Sequence, residues 1–307
     1  MEPVIRVRDL RKSFKETRAI DGLSFEVNAG EIFGLVGPDG AGKSTTLRIL
    51  CGILGADGGR IEAAGTDVLS DPEAVKPHIG YMPQRFSLYG DLTVQENLRF
   101  FADMYFVPKK ERPGRMRELY EFSRLGRFTD RRAANLSGGM QKKLALACNL
   151  MHRPRLLLLD EPTTGVDPVS RRELWELVYR LVEDGLTVLV STPYMDEAER
   201  CHRVGLIHEG RMLLADEPSR IRDKMRQAVF ECVGGDVREI AGALDGLDAV
   251  ASAYPVGSSV HVVLREDVAD PDAAAEAIRA EGIGAGSVRR IRPSFEDVFI
   301  SLLESRQ

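Results

Sequence analysis

Three observations predict an α/β fold built on a parallel sheet, followed by a smaller α+β module. Ile32–Val36 and residues 156–159 are short unbroken apolar runs, and 186–190 is nearly one, as strands covered on both faces require. Helical periods alternate with these runs as far as about residue 220. Beyond Lys224 the composition changes: no lysine follows it, and Gly and Ala become frequent.

The elements follow in chain order. The strand IFGLV leads through a glycine-rich turn into a helix at TTLRILCGI. Thr93 with Glu96 forms a capping box that opens a helix at VQENLRFFADMY. The stretch 88–150 reads as mostly helical and interrupts the strand alternation, so it is expected to be an inserted helical subdomain. After the strand at 156–159, Asp167 caps a helix with Pro168 at its first position. The apolar stripe of that helix is Leu174, Leu177, Val178 and Leu181, and Gly185 ends it. From residue 228 the order is AVFECV (strand), DVREIAGALDGL (helix), DAVASAY (strand), SSVHVVLR (strand), PDAAAEAIRAEG (helix), GSVRRIR (strand) and a closing helix from Ser294. This is the β-α-β-β-α-β order of a ferredoxin-like module, expected here as an accessory domain.

Charge marks the same division. The chain has 307 residues, 42 basic and 47 acidic, for a net charge of −5. Residues 1–224 hold 34 basic and 33 acidic side chains, and 225–307 hold 8 and 14, so the parts carry +1 and −6. The expected domains are 1–222 and 223–307. No apolar run approaches the roughly 20 residues a bilayer span needs, and the start lacks a secretory h-region. Cys51, Cys148, Cys201 and Cys232 form no C-x-x-C pair, which suits buried thiols in a reducing cytoplasm. Net acidity argues against a nucleic-acid binder. One run, from Lys109 to Arg132, holds nine basic and four acidic residues; a solvated helical face accounts for it, with an anionic membrane surface or membrane partner as the alternative.

The strongest motif is GPDGAGKST: Gly37, Pro38, Asp39, Gly40, Ala41, Gly42, Lys43, Ser44 and Thr45. It fits G-x-x-x-x-G-K-[ST] between a strand and a helix, the arrangement of a P-loop. The glycines let backbone N–H groups point at the β-phosphate of a nucleotide. Lys43 supplies a point charge to the β- and γ-phosphates, and Ser44 a hydroxyl to Mg2+. Farther on, LLLLDEP ends a buried strand with two carboxylates. Asp160 suits the Mg2+ shell, and Glu161 the water that attacks the γ-phosphate.

Between the two lies LSGGMQ, with Ser137, Gly138 and Gly139. With that piece the first 220 residues or so resemble the nucleotide-binding domain of an ABC transporter, a P-loop NTPase core with an inserted helical subdomain. The resemblance implies Phe14 as the aromatic that stacks on adenine and Gln84 in YMPQ as a group that senses Mg2+ and water. It also implies Gly165-Val166-Asp167 as the loop after the catalytic glutamate. The implied catalytic residues are Glu161, Gln84 and Lys43, with Ser44, Gln84 and Asp160 around Mg2+ and ATP as the nucleotide. Two cassettes would close head to tail, as a homodimer or a heterodimer, each ATP held by the P-loop of one and the signature of the other. A polytopic permease would be the further partner, and the chain would lie on the inner face of the membrane. The closing RPSFEDVFISLL and the accessory module look similar to ATP-binding subunits of ABC-2 type exporters.

One position departs from the family. In STPYMDEAE, Pro193 stands where a histidine normally contacts the γ-phosphate, and proline has neither a side-chain donor nor an N–H. Losing one such donor costs about 2.7–4 kcal/mol, or roughly 10²–10³ in rate. Slow hydrolysis with intact ATP binding is therefore expected, unless Tyr194 or His202 substitutes. The competing readings are an ATP-gated partner of a competent cassette and a soluble ABC ATPase without a permease. Soluble ABC ATPases of that kind commonly carry two cassettes, coiled coils or zinc cysteines, which this sequence lacks.

Overall fold

The computed structural model describes residues 2–85, 88–268, 270–281 and 286–304. They form two compact units, Met1–Asp216 and Glu217–Gln307. The division falls a little before the expected domain boundary at 222, because the short helix Pro218–Asp223 packs with the closing helix Phe295–Glu304.

The first unit holds two sheets. The larger has the strand order Arg211–Asp216, Arg203–His208, Ile32–Val36, Thr187–Thr192, Leu156–Asp160 and Ile79–Met82. All its neighbours pair in parallel except the first two. Ile32–Val36, Leu156–Asp160 and Thr187–Thr192 are buried along their whole length, which is why their sequences do not alternate. The smaller sheet is antiparallel, in the order Thr17–Asn28, Pro3–Phe14, Gly58–Ala63 and Thr66–Asp67. It turns Ile5, Val7, Ile20, Leu23 and Val27 into one core with Phe33, Leu35 and Leu158, and Phe25 stacks on Phe33 at 5.5 Å.

Helices Val94–Met104, Arg112–Ser123 and Gly138–Asn149 lie in sequence between two strands that pair directly, Ile79–Met82 and Leu156–Asp160. The insertion therefore leaves the sheet register intact. The Thr93–Glu96 capping box is present, and the buried Asn97 amide bonds the carbonyls of Tyr89, Leu92 and Thr93, fixing the entry to the first inserted helix. Asp167 caps Pro168–Glu183 through the N–H of Ser170 at 3.0 Å, and Gly185 leaves that helix at φ 90°.

In the second unit the elements are strand Val229–Val233, helix Val237–Leu244, strands Val250–Val256 and Ser259–Leu264, helix Pro271–Glu281 and strand Ser287–Ile291, then the closing helix. The expected last helical residue, Gly282, lies outside the described residues. The sheet is fully antiparallel, with the order Val250–Val256, Ser259–Leu264, Val229–Val233 and Ser287–Ile291. That order is the one a split βαβ unit produces. Among the described residues, no helix is long and apolar enough to cross a membrane. All four cysteines are buried and free.

Candidate active site

Four parallel strands release their chains at the same edge of the larger sheet. Ile32–Val36 leads to the P-loop, Leu156–Asp160 to Glu161, Thr187–Thr192 to Pro193 and Ile79–Met82 to Gln84. Open α/β sheets place ligands at this edge because every strand there can deliver a side chain to one crevice.

The P-loop glycines have separate reasons. Gly40 and Gly42 sit at φ 80° and 101°. A Cβ on Gly37 would come within 2.1 Å of the Ile207 carbonyl, and one on Gly42 within 2.4 Å of the Ala19 carbonyl. Ala41 is buried, its N–H bonded to the Pro38 carbonyl and its carbonyl to the N–H of Gly210. The turn is thus pinned between the two sheets before helix Lys43–Leu50 begins.

Lys43 is only 4% exposed, and its Nζ donates to the carbonyls of Gly37 (2.8 Å) and Pro38 (2.9 Å). It stands 3.6 Å from Glu161 Oε1. Burial lowers its pKa and the Glu161 charge opposes that shift, so the ammonium is poorly solvated and suited to an anion. Asp160 is fully buried. Its Oδ1 accepts from Ser44 Oγ (2.8 Å) and Ser191 Oγ (2.7 Å), and its Oδ2 from Tyr81 (3.3 Å). Glu161 holds a left-handed φ of 47°, with its N–H on the Ser191 carbonyl and hydroxyl. Its Oε2 accepts from Gln84 Nε2 (2.7 Å) and Thr164 Oγ1 (3.2 Å). A non-glycine residue in that backbone region is strained, and strain of this kind collects at functional sites.

Of these groups, Lys43, Ser44, Gln84 and Glu161 share one cavity of about 290 Å³, lined also by Ala19, Asp39, Gly40, Gly42 and Thr45. The remaining expected residues lie elsewhere. Phe14 ends its strand at 48% exposure, with Lys12 Nζ 5.5 Å from its ring. Ser137 caps helix Gly138–Asn149 at its exposed end. Gly139 lies against Ser170, whose Oγ would be 2.3 Å from any added Cβ. Gly138 faces the Gly165 carbonyl, and both line a second cavity of about 160 Å³. Asp167 is exposed, its carboxylate held below the usual range by the backbone N–H of Ser170. Within one chain, then, the signature lies beside the 165–167 loop and outside the phosphate cavity.

Pro193 follows the strand at a bend, and of the two alternatives to it His202 is committed elsewhere. The Tyr194 ring lies 4.6 Å from the Arg171 guanidinium. His202 Nδ1 accepts from the Ile32 N–H at 3.0 Å. That bond is at the start of a strand whose other end begins the P-loop, roughly 13 Å away at about 3.3 Å per residue. Behind the bend, the buried Glu197 accepts from Thr192 Oγ1 (2.7 Å) and Trp175 Nε1 (3.3 Å).

Sequence reasoning missed Ser191, Tyr81, Thr164 and Lys142, whose Nζ donates to the Gln84 carbonyl at 3.0 Å. Each lies within or beside a quoted motif, but its partner is set by strand order and not by spacing. The donor set suits Mg2+: a serine hydroxyl already on a carboxylate oxygen, both hard oxygen ligands, with a lysine held nearby for phosphate.

A family model described as ABC transporter matches residues 20–164. Over 307 residues the chain is 35% identical to the "Daunorubicin resistance ATP-binding protein DrrA2" of Streptomyces coeruleorubidus, covering 98% of this chain and 95% of that one. The chain belongs to the ABC transporter ATP-binding family. The cassette is also 42% identical over 98% of its length to the "Probable multidrug ABC transporter ATP-binding protein YbhF" of Escherichia coli, and spans about half (52%) of that relative. Among solved structures, the cassette shares a TM-score of 0.64 and 25% identity with a dimeric ATP-binding cassette in a post-hydrolysis state bound to ADP and phosphate. That match covers 69% of this chain and 98% of the other.

Proposed function

We propose that this chain is the ATP-binding and hydrolysing subunit of an ABC-2 type exporter, acting through nucleotide-driven closure of two cassettes. The observation that carries the reading is the shared cavity: Lys43, Ser44, Gln84 and Glu161 line it, and Asp160 bonds Ser44 at its floor. The P-loop amides and Lys43 would hold the phosphates. Ser44, Asp160 and Gln84 would hold Mg2+, which when bound neutralises charge on the phosphate oxygens. Glu161 would orient water and accept its proton, its carboxylate aimed by Gln84 and Thr164.

Separation of the signature from this cavity supports a second cassette, because Ser137, Gly138 and Gly139 then serve a nucleotide held by the partner, identical or different. Phe14, exposed at a strand end, would stack on adenine, and Asp167 would meet the partner cassette. For a permease, the favourable surface is an apolar groove of about 680 Å³ lined by Ile53, Pro83, Phe101, Met104, Tyr105 and Phe106. Its rim leaves Phe106 90% and Ile53 60% exposed, more than a lone monomer surface needs. The chain would then sit peripherally on the inner face of the membrane and bind no nucleic acid. In Glu161→Gln, nucleotide affinity should stay within about twofold while hydrolysis falls by roughly 10²–10⁴. Equal hydrolysis by the variant and parental chains would remove Glu161 from this role.

A second reading, an ATP-gated subunit with slow hydrolysis, is favoured by Pro193. His202, which could replace its missing donor, is bonded to the Ile32 N–H instead.

A further inference from the structure

Tyr81 touches both the buried carboxylate that bonds Ser44 and the apolar groove. Its hydroxyl donates to Asp160 Oδ2 at 3.3 Å, and its ring lines the groove beside Cys51, Ile53 and Tyr105. The other two donors to Asp160, Ser44 and Ser191, both use Oδ1. Together those two bonds hold Oδ1; a third, on the other oxygen, restrains Oδ2 as well. Among the described residues, Tyr81 supplies that third bond.

We propose that Tyr81 is a positioning residue that holds Oδ2 of the Asp160 carboxylate and links it to the groove, by a route separate from Gln84. The inference rests on the reading of Ser44 and Asp160 as the Mg2+ site. A group seated in the groove bears on the Tyr81 ring and so shifts the hydroxyl against Oδ2. By reciprocity, occupation of the Asp160 site is felt in the groove.

The test uses the purified full chain and trinitrophenyl-ATP fluorescence, with Mg2+ titrated into the nucleotide-loaded protein and EDTA as the metal-free reference. Tyr81→Phe keeps the ring and removes only the hydroxyl. The expected result is a Mg2+ midpoint raised about five- to tenfold, the loss of one hydrogen bond to a charged group, with metal-free affinity little altered. For the groove, Ile53→Cys is labelled with an environment-sensitive dye, since position 53 is 60% exposed while the four native cysteines are buried. Saturating Mg2+ should shift the dye emission in the chain carrying Tyr81, and the shift should vanish with Tyr81→Phe. An unchanged Mg2+ midpoint overturns the inference, as does equal loss of affinity with and without metal. A dye shift that is absent in the parental background, or that survives Tyr81→Phe, overturns it too. A parental chain that binds no nucleotide overturns the ATP-binding reading itself, and this inference with it.

Discussion

Pro193 and Gly37 show how much a single residue decides at this site. At Pro193 the chain offers neither an N–H nor a side-chain donor, and His202 is bonded to Ile32 instead. Pro193→His should therefore raise single-turnover hydrolysis by about 10–10³, with nucleotide affinity nearly constant; equal rates in the two proteins would show that another group already does the work. At Gly37 the constraint is space. Gly37→Ala would force Cβ to 2.1 Å from the Ile207 carbonyl, so the P-loop must shift out of its seat. Trinitrophenyl-ATP binding should weaken at least tenfold, and unchanged binding would mean the loop relaxes freely. The P-loop, Asp160 and Glu161 were legible because each motif is contiguous. Ser191 and Tyr81 were not, since they reach Asp160 only after strands far apart in sequence become neighbours.

The closing helix Phe295–Glu304 and the sheet of the second unit meet in a buried polar cluster. Asp297, fully buried, accepts from Tyr254, from His261 Nδ1 at 2.8 Å and from the Ser294 N–H at 2.6 Å. In register, Tyr254, His261, Glu231 and Arg289 form a row across the four strands, and Arg289 pairs with Glu231 at 2.6 Å. His261 has its pKa raised, first by the bond to Asp297, with burial opposing. Burial pushes Asp297 up, but the bonds from His261, Tyr254 and Ser294 outweigh it and leave the carboxyl lowered. The raised histidine stabilises the fold fully below its ordinary value of 6.5 and ceases to do so as pH rises through the raised value. The lowered aspartate contributes above 3.8 and loses its contribution as pH falls through the lowered value. Denaturant melts of this unit should therefore show greatest pair stabilisation between those limits and a decline toward alkaline pH. Asp297→Ala should cost about 3–5 kcal/mol and flatten that decline; a pH profile unchanged by the variant would assign it to other groups. The element order of this unit was readable from alternating patterns, but the cluster was not, since Tyr254 and His261 reach Asp297 only once the closing helix packs on the sheet.

Across the whole molecule, incompleteness is the governing feature. The phosphate cavity and the signature are both present, yet the signature lies against the 165–167 loop and the cavity lacks it. Under the proposed function, two cassettes arranged head to tail would satisfy both. In Glu161→Gln with saturating Mg2+ and ATP, sedimentation should detect a particle of twice the chain mass, dispersing when nucleotide is removed. A strictly monomeric species under those conditions would leave closure to a different partner cassette or rule it out.

The sequence by itself determined the identity of the cassette, because phosphate recognition needs consecutive backbone amides and buried parallel strands need unbroken apolar runs, and both are local. It also showed the change of charge and composition near Lys224. The tertiary structure decided what spacing does not encode. It defined the antiparallel sheet of Pro3–Phe14 and Thr17–Asn28, whose charged outer faces hide its core positions. It placed His202 on Ile32, at the far end of that strand from the P-loop, and it brought three hydroxyls onto Asp160. A buried carboxylate must be satisfied by whatever neighbours the strand order supplies, and strand order is a property of the folded chain.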